Sequence, residues 1–200
     1  MEVVVLIEAT AELEPIGTPQ DQLVVAEAIG VAADPAGAAS AAVVDLMEVE
    51  LAEVGKMITE ILKVPYQSKM QIQSIGLRKQ VLRTPLGLEF QPSELASEGN
   101  QWHIVTIHKT HVIACNLVKF LASGEAKIRQ VATHPNFQGI GLGKTLNKKT
   151  EELLAANGIK KVVLHARINA VPFYEKLNYT IVGQPFEEVG IKHYKMEKHL

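Results

Sequence analysis

The residues best suited to chemistry lie between Ile128 and Thr150, where a short apolar run is followed by three closely spaced glycines. These are Gly139, Gly141 and Gly143, and Gly141 opens a helical pattern with apolar residues on one face. Glycines let the main chain approach a ligand closely, and the first amides of a helix have no intrahelical partner. A strand, a glycine turn and a helix N-terminus in this order predict an anion site, most simply for phosphate.

Three phosphate-binding patterns compete for this stretch, and their spacing separates them. The ATP and GTP loop G-x-x-x-x-G-K-[ST] fits residues 143–145, but its first glycine falls on Gln138. The dinucleotide fingerprint G-x-G-x-x-G can begin at Gly139, but its third glycine then falls on Lys144. The pattern [Arg/Gln]-x-x-Gly-x-[Gly/Ala] fits residues 138–143 without exception. It is the pyrophosphate loop of the GNAT superfamily of N-acetyltransferases, which the chain resembles here.

A second motif downstream resembles the same family's signature N-x-x-A-x-x-F-Y-E-K-x-G-F. Ala170 and residues 173–176 keep its spacing. There are two departures, since Arg167 stands where the signature has Asn and Asn178 stands where Gly is usual. Asn tolerates a left-handed backbone, so the second departure still allows the helix to end there. With both motifs, the resemblance runs from about Met57 to the C-terminus.

The resemblance implies an α/β (α+β) architecture, the GNAT fold. Its mixed central sheet has a V-shaped splay between the fourth and fifth strands of the domain, helices on both faces and a C-terminal hairpin. It also implies an enzyme that moves an acetyl group from acetyl-CoA to a primary amine by direct attack in a ternary complex. No metal is implied. The acceptor is left open between a small-molecule amine and a protein amine.

Mapped residue by residue, the resemblance implies where acetyl-CoA would bind. The glycine turn holds the pyrophosphate, and the pantetheine arm lies between the two splayed strands like an added strand. The positions implied to contact the cofactor are Val131, Thr133, Gln138, Gly139, Ile140, Gly141, Leu142, Gly143, Lys144, Asn169 and Tyr174. Asn169 has an alternative role as a helix N-cap.

The implied catalytic residues are Tyr174, Val131 and His193. Tyr174 would donate a proton to the departing thiolate, and the Val131 N–H would stabilise the oxyanion. Phe173 is expected to be an aromatic core residue.

The general base is left open. Of the three implied catalytic residues, His193 is the candidate general base. Three other side chains fall near the predicted site, namely His134, His165 and Glu125, and a chain of ordered water could replace any of them. His165 could also be a core histidine, and His134 could only brace the turn.

Hydrophobic periodicity predicts the elements that position these residues. A helix is expected from Tyr66 to Arg83, and by resemblance it forms one wall of the acceptor site. A second helix runs from Gly141 to the cap at Asn157. The expected strands are Met57 to Val64, Trp102 to Ile107, Val112 to Leu121, Ala126 to Thr133 and Lys160 to Ala166, followed by a hairpin of residues 181–184 and 191–196.

Composition divides the chain at about residue 56. Residues 1–56 contain one basic residue, Lys56, and all their other charged residues are acidic. The remainder of the chain has a clear excess of basic residues, which suits a polyanion such as coenzyme A. We therefore predict an accessory extension over 1–56 and a GNAT domain over 57–200. Within the extension, Val3 to Ile7 could be a strand and Ala38 to Val54 a helix. A second hypothesis is that Met57 is the biological start.

The single cysteine, Cys115, excludes an internal disulfide and a cysteine-based zinc site, and favours a reducing compartment. We expect a buried structural thiol and a cytoplasmic protein that binds neither membrane nor nucleic acid, since the basic residues are dispersed. Oligomeric state is open, with a homodimer as one possibility. Besides the transferase, two other functions compete: a non-catalytic acyl-CoA sensor, and an NTPase that the missing first glycine disfavours.

Overall fold

The computed structural model describes residues 50–54 and 57–200, and their strands form one mixed sheet of eight strands. In chain order these are β1 (Glu50–Val54), β2 (Met57–Val64), β3 (Trp102–His108), β4 (His111–Phe120), β5 (Ala126–Thr133), β6 (Lys161–Arg167), β7 (Thr180–Glu188) and β8 (Ile191–His199). Their order across the sheet is β1-β2-β3-β4-β5-β6-β8-β7. All neighbours are antiparallel except β5 and β6, which are parallel.

Within the described residues, four α-helices accompany the sheet: α1 (Lys69–Arg78), α2 (Pro92–Ala96), α3 (Leu142–Ala156) and α4 (Val171–Glu175). The first continues as a π-helical segment, Lys79–Arg83, and a 3-10 turn, Thr84–Leu86, so the predicted helix over residues 66–83 is confirmed in two parts. The strands predicted between Met57 and Ala166 and the terminal hairpin are also found, with bounds that differ by a few residues. No helix in the described part of the chain is long and apolar enough to cross a membrane.

Helices cover both faces of the sheet, and β5 contributes to both because its side chains alternate. Ala126 and Ile128 belong to the apolar cluster that includes Leu154 of α3. On the opposite face, Leu77 of α1 belongs to the cluster that includes Ala132. We call these the α3 face and the α1 face.

A β-bulge in β5 changes which residues point to which face. The register against β4 shifts between Cys115 and Leu117, so that two residues of β5, Gln130 and Val131, lie opposite one residue of β4. Gln130 has a positive φ of 51°. The extra residue shifts the alternation by one position, and Val131 therefore packs against the α3-face cluster while its neighbour Ala132 packs on the α1 face.

The parallel strands β5 and β6 pair only at their N-terminal ends. Their ladder consists of Ala126 with Val162 and Lys127 with Val163, and the register continues no further. From there the strands separate, which gives the V-shaped opening that the resemblance implies. The predicted fold class is confirmed in each of its parts: the mixed sheet, the splay, the helices on both faces and the C-terminal hairpin.

A buried ion pair ties α1 to the bulge. The guanidinium of Arg78 donates to both carboxylate oxygens of Glu98 at 2.8 and 2.9 Å, and it also donates to the side-chain oxygen of Gln130. Arg78 is fully buried, so this charge depends on Glu98 for compensation. The pair fixes the α1 face of β5 at the point where the strand leaves β6.

One expectation for the N-terminal part is wrong. The helix predicted from Ala38 to Val54 is a strand over Glu50–Val54, which pairs antiparallel with β2. Ala, Leu and Glu rank high in helix propensity, but propensity is a weak preference, and ladder pairing with an available sheet edge outweighs it. Residues 38–49 and the strand predicted over Val3 to Ile7 lie outside the described residues, and the boundary at residue 56 stays a prediction.

Candidate functional site

A cavity of about 1140 Å³ opens where β5 and β6 separate. It is lined from the α3 face by the glycine turn and α4, and from the α1 face by the π-helical segment and alternate residues of β5 and β6. Of the predicted cofactor positions, all but one line this cavity: Val131, Thr133, Gln138, Gly139, Gly141, Leu142, Gly143, Lys144, Asn169 and Tyr174. The exception is Ile140, which is exposed on the turn. The catalytic candidate His193 also lines it.

The glycine turn reaches the N-terminus of α3 through two left-handed residues. Gly139 has a φ of 80° and Gly141, the N-cap residue, has a φ of 97°. No side chain of the described residues caps the helix, so the amides of its first turn keep their unpaired hydrogens. Together with the positive end of the helix dipole, these amides are suited to bind an anion, and they line the cavity.

Close packing holds this turn against the end of β5. The side-chain amide of Gln138 donates to the carbonyl oxygen of Thr133 at 3.0 Å. A Cβ atom added to Gly143 would lie 3.4 Å from the ring of Phe173 and 3.6 Å from the Thr133 hydroxyl. The turn, β5 and α4 therefore contact one another without spare room at Gly143. We call this part of the cavity, residues 138–144 with Asn169, Phe173 and Tyr174, the glycine side.

The structure contradicts one expectation for Phe173 and one for Asn169. Phe173 is not a core residue, since 36% of it is exposed and its ring lines the cavity. The N-cap of α4 is Ala170, so Asn169 does not cap that helix. Its side chain makes no hydrogen bond to any described residue and is free to contact a ligand.

Tyr174 is buried at the floor of the glycine side, with 8% exposure. Its ring packs edge-on against Phe173 at 4.9 Å and against Tyr179 at 5.7 Å. Burial raises the pKa of the Tyr174 hydroxyl because the phenolate would lose its hydration. The hydroxyl has no hydrogen-bond partner among the described residues, and it stays protonated at neutral pH, as a proton donor must.

The opposite part of the cavity carries positive charge from three elements. Arg83 comes from the π-helical segment, Lys127 and Arg129 from β5, and Arg167 from β6. We call these residues, with His165 of β6, the cation side. The sequence pattern marks Arg167 only as a departure from the family signature, and it does not predict that the four charges share one site. Their signal was the alternation of charged and apolar residues along β5 and β6, which becomes meaningful only when the two strands are known to be neighbours.

His165 is part of a charged cluster at the mouth of the cation side. Its Nδ1 lies 2.6 Å from a carboxylate oxygen of Glu188, and the Lys127 ammonium lies 3.1 and 3.2 Å from its two ring nitrogens. Its ring also packs edge-on against Phe186 at 4.7 Å. Burial lowers the pKa of Lys127. His165 therefore lines the cavity with an oriented ring instead of lying in the core.

The three other candidates for the general base differ in whether they line the cavity. His193 is buried, its Nδ1–H donates to the Ile191 carbonyl at 2.8 Å, and its second nitrogen is left for another partner. His134 lies outside the cavity lining, and its Nδ1 accepts from the Asn136 amide, so it braces the turn. Glu125 also lies outside the lining and pairs with Lys161 at 3.1 Å. Only His165 and His193 of the four candidates reach the cavity.

Cys115 is a structural thiol, as the sequence predicts. It is 1% exposed on β4, and burial raises its pKa to about 12. A thiol in that state is not a nucleophile.

Comparison with known proteins agrees with this geometry. A family model described as an acetyltransferase (GNAT) domain matches residues 93–200. The uncharacterized protein YyaT of Bacillus subtilis (strain 168) is 30% identical over 112 residues, which cover 56% of this chain and 74% of that protein. An acyl-CoA N-acyltransferase from Pseudomonas aeruginosa has a similar structure, with a TM-score of 0.62 and 16% identity over 70% of this chain and 99% of that one.

An aminoglycoside 6'-N-acetyltransferase, solved in complex with coenzyme A, gives a TM-score of 0.60 with 13% identity over 70% of this chain and 96% of that chain. At such identities a structural likeness shows the fold alone. The family model, in contrast, matches more than half of the sequence, and it does so across the glycine turn and Tyr174. Because the family model matches more than half of the chain, the protein belongs to the GNAT acetyltransferases, enzymes that transfer an acyl group from acyl-coenzyme A to an amine.

Proposed function

We propose that this protein is an N-acetyltransferase that moves the acetyl group of acetyl-CoA to a primary amine by direct attack in a ternary complex. One observation carries the proposal: the opening between β5 and β6 joins an uncapped helix N-terminus to a buried, protonated tyrosine within a single cavity. The first can hold a diphosphate and the second can protonate a thiolate. A reaction of a coenzyme A thioester needs both the diphosphate site and the proton donor, whereas a cleft without a function needs neither.

Residues of the glycine side would bind acetyl-CoA chiefly through main-chain atoms. The amides of the turn and of the first turn of α3 would hold the diphosphate, with the exposed Lys144 adding positive charge. Beyond Lys127, the β5 edge that faces β6 has no ladder partner. The pantetheine arm would pair with this free edge as an added strand, with contacts at Val131 and Thr133. Asn169 would contact the arm from α4's side.

The transfer would then proceed in one addition and one elimination. The neutral amine nitrogen forms a bond to the thioester carbon, and the Val131 N–H stabilises the resulting oxyanion. The C–S bond breaks, and the Tyr174 hydroxyl gives its proton to the departing thiolate. The proton lost by the amine goes to a base, which we assign to His193 because its unbonded ring nitrogen lines the cavity. Tyr174 recovers its proton from solvent.

A thiol-release assay tests this function. The protein is mixed with acetyl-CoA and a panel of amines, the freed thiol of coenzyme A is measured with a thiol reagent, and the acetylated product is identified by mass. We expect release that depends on the amine. Tight binding of coenzyme A without release on any amine would instead identify the non-catalytic sensor. Stabilisation by ATP that exceeds stabilisation by acetyl-CoA would favour an NTPase.

A further inference from the structure

The cation side carries more positive charge than the proposed reaction needs. Among the described residues that line the cavity, Glu188 is the only carboxylate. Three guanidinium groups and the Lys127 ammonium line the same region, from Arg83, Arg129 and Arg167. Positive surroundings lower the pKa of an amine and so favour its attacking form, but they also repel the ammonium ion that arrives from water. The excess charge therefore calls for a partner of opposite sign.

Internal pairing does not remove the excess. The Glu188 carboxylate is engaged by His165 at 2.6 Å. Arg83 pairs with Glu94 at 3.0 Å, at the edge of the cavity. Among the described residues, Arg167 donates only to the main-chain oxygen of Leu82, at 3.0 Å, and gains no counter-charge from it.

Arg129 makes no hydrogen bond and no ion pair with any residue that the structure describes. Both Arg129 and Arg167 are only partly exposed. Burial and the nearby charge of Arg83 lower the pKa of Arg167, as expected for a cation with too little compensation. Taking a guanidinium out of water is unfavourable unless an anion replaces the lost hydration. A planar guanidinium fits the two oxygens of a carboxylate or phosphate better than any other common group.

These charges do not belong to the diphosphate site. Ile128 and Leu164 pack into the α3-face cluster, so the alternate residues Arg129 and Arg167 project to the α1 face. The hydrogen bond from Arg167 to Leu82, next to α1, agrees with this direction. The glycine turn and the N-terminus of α3 lie on the other face. An anion bound by Arg129 and Arg167 would therefore enter from the α1 face, which is the acceptor's side of the opening.

We propose that the acceptor is a small primary amine that also carries an anionic group, a carboxylate or a phosphate, bound by Arg129 and Arg167. The inference rests on the proposed acetyl transfer and names its substrate class. Arg83, already paired with Glu94, contributes to the positive field without being the main contact. The anion would lie on the α1 face, and the amine would reach through the opening toward the thioester on the glycine side.

Matched acceptors test the proposal directly. Lysine is compared with cadaverine, and phosphoethanolamine with ethanolamine, within a larger panel of such pairs. In each pair only the anionic group differs. We expect kcat/KM to be roughly ten- to a hundredfold higher for the anionic member of at least one class, as expected for a hydrogen bond to a charged group. A preference within the phosphate pairs or within the carboxylate pairs assigns the anion. Equal rates, or a preference for the cationic amines, would overturn the proposal.

Variants connect the preference to the two arginines. In Arg129→Gln and Arg167→Gln, the ratio of kcat/KM between the member of a pair that carries the anionic group and the member that lacks it should fall about tenfold or more, while the KM for acetyl-CoA stays the same. Lys119→Gln is the matched control: Lys119 lies opposite Lys127 on β4 but outside the cavity lining. Arg129→Glu should reverse the preference. An unchanged ratio in both Arg→Gln variants would refute the assignment.

Calorimetry separates a failure of this inference from a failure of the proposed function. Binding of the amines with and without an anionic group is measured with coenzyme A present, when no acetyl transfer can occur. If anionic amines bind and Arg129→Gln abolishes the binding, but no acetyl transfer is ever seen, the anion site stands and the enzyme proposal fails. If acetyl transfer occurs but charge has no effect on rate or binding, the enzyme proposal stands and the anion site is refuted.

Discussion

On the glycine side of the cavity, the groups proposed to bind a ligand are mostly main-chain amides from one run of sequence, residues 138–144. On the cation side they are side chains, and they come from the segment after α1, from β5 and from β6. The glycine side depends on a local backbone conformation, with left-handed residues at Gly139 and Gly141. The cation side depends on the packing of distant elements against one another.

This difference teaches how each side should respond to change. A main-chain site tolerates many side-chain substitutions but not one that alters its backbone angles. A side-chain site loses function with the side chain itself, and it also depends on whatever fixes the strands that carry it. For the cation side that support is the ion pair of Arg78 and Glu98, which also holds the bulge residue Gln130. The following substitutions test the contrast.

Glu98→Gln should have the largest effect, because it leaves the fully buried charge of Arg78 without compensation. We expect a loss of about 3–5 kcal/mol in the free energy of unfolding, measured by urea denaturation. Glu89→Gln is the control, since Glu89 pairs with Lys79 on the surface and should cost less than about 1 kcal/mol. Equal losses in the two variants would show that the buried pair does not support the α1 face.

Tyr174→Phe tests the one side chain on which the glycine side depends for chemistry. Loss of a general acid should lower kcat by roughly a hundred- to a thousandfold with little change in KM for acetyl-CoA, measured where chemistry limits the rate. Tyr194→Phe is the control, because Tyr194 lies on β8 outside the cavity lining. If both variants turn over at the parental rate, Tyr174 is not the acid and the glycine side is a binding surface only.

The two sides should also respond to alkaline pH with opposite signs. Burial raises the pKa values of Tyr174 and Tyr179, so above pH 10 the unfolded chain loses protons that the folded chain keeps. Stability should then fall with rising pH, by about 1.4 kcal/mol per pH unit for each tyrosine. Burial lowers the pKa of Lys127, so its charged form weakens the fold below that pKa, and its contribution to stability should rise toward pH 10.5.

Urea denaturation from pH 8 to 11 measures both slopes. Tyr174→Phe should make the decline above pH 10 shallower, whereas Lys127→Met should remove the opposing rise. If Tyr174→Phe leaves the alkaline slope unaltered, the buried hydroxyl is not kept protonated in the folded state.

Gly141→Ala should have the smallest effect and tests the main-chain character of the glycine side. A side chain at a φ of 97° costs about 1–2 kcal/mol, and the strain falls on the amides that would hold the diphosphate. We expect roughly a tenfold weaker affinity for coenzyme A, measured by calorimetry. Gly158→Ala is the control, since Gly158 also has a positive φ, 81°, but follows the far end of α3. It should lower stability without changing that affinity.

The parts of the fold that could be predicted from the sequence are those that depend on contiguous residues. The strand over residues 126–133, the turn and α3 follow from apolar periodicity and from glycines at fixed offsets, and all are found. The strand at Glu50–Val54 was missed because its residues have high helix propensity, whereas its pairing with β2 decides its state. Phe173 was assigned to the core because its sequence does not reveal that α4 turns that ring toward Gly143.

The sequence by itself determined the glycine side, because a left-handed turn before a helix and a tyrosine in a recognisable motif are local features. Only the tertiary structure decided the cation side. The sheet order places β8 between β6 and β7, and His193 therefore lies opposite Arg167. The same packing places Glu188 in contact with His165. The separation of β5 from β6 then opens the space that Arg129 and Arg167 face. These relations join residues far apart in the chain, and packing of the whole sheet sets them.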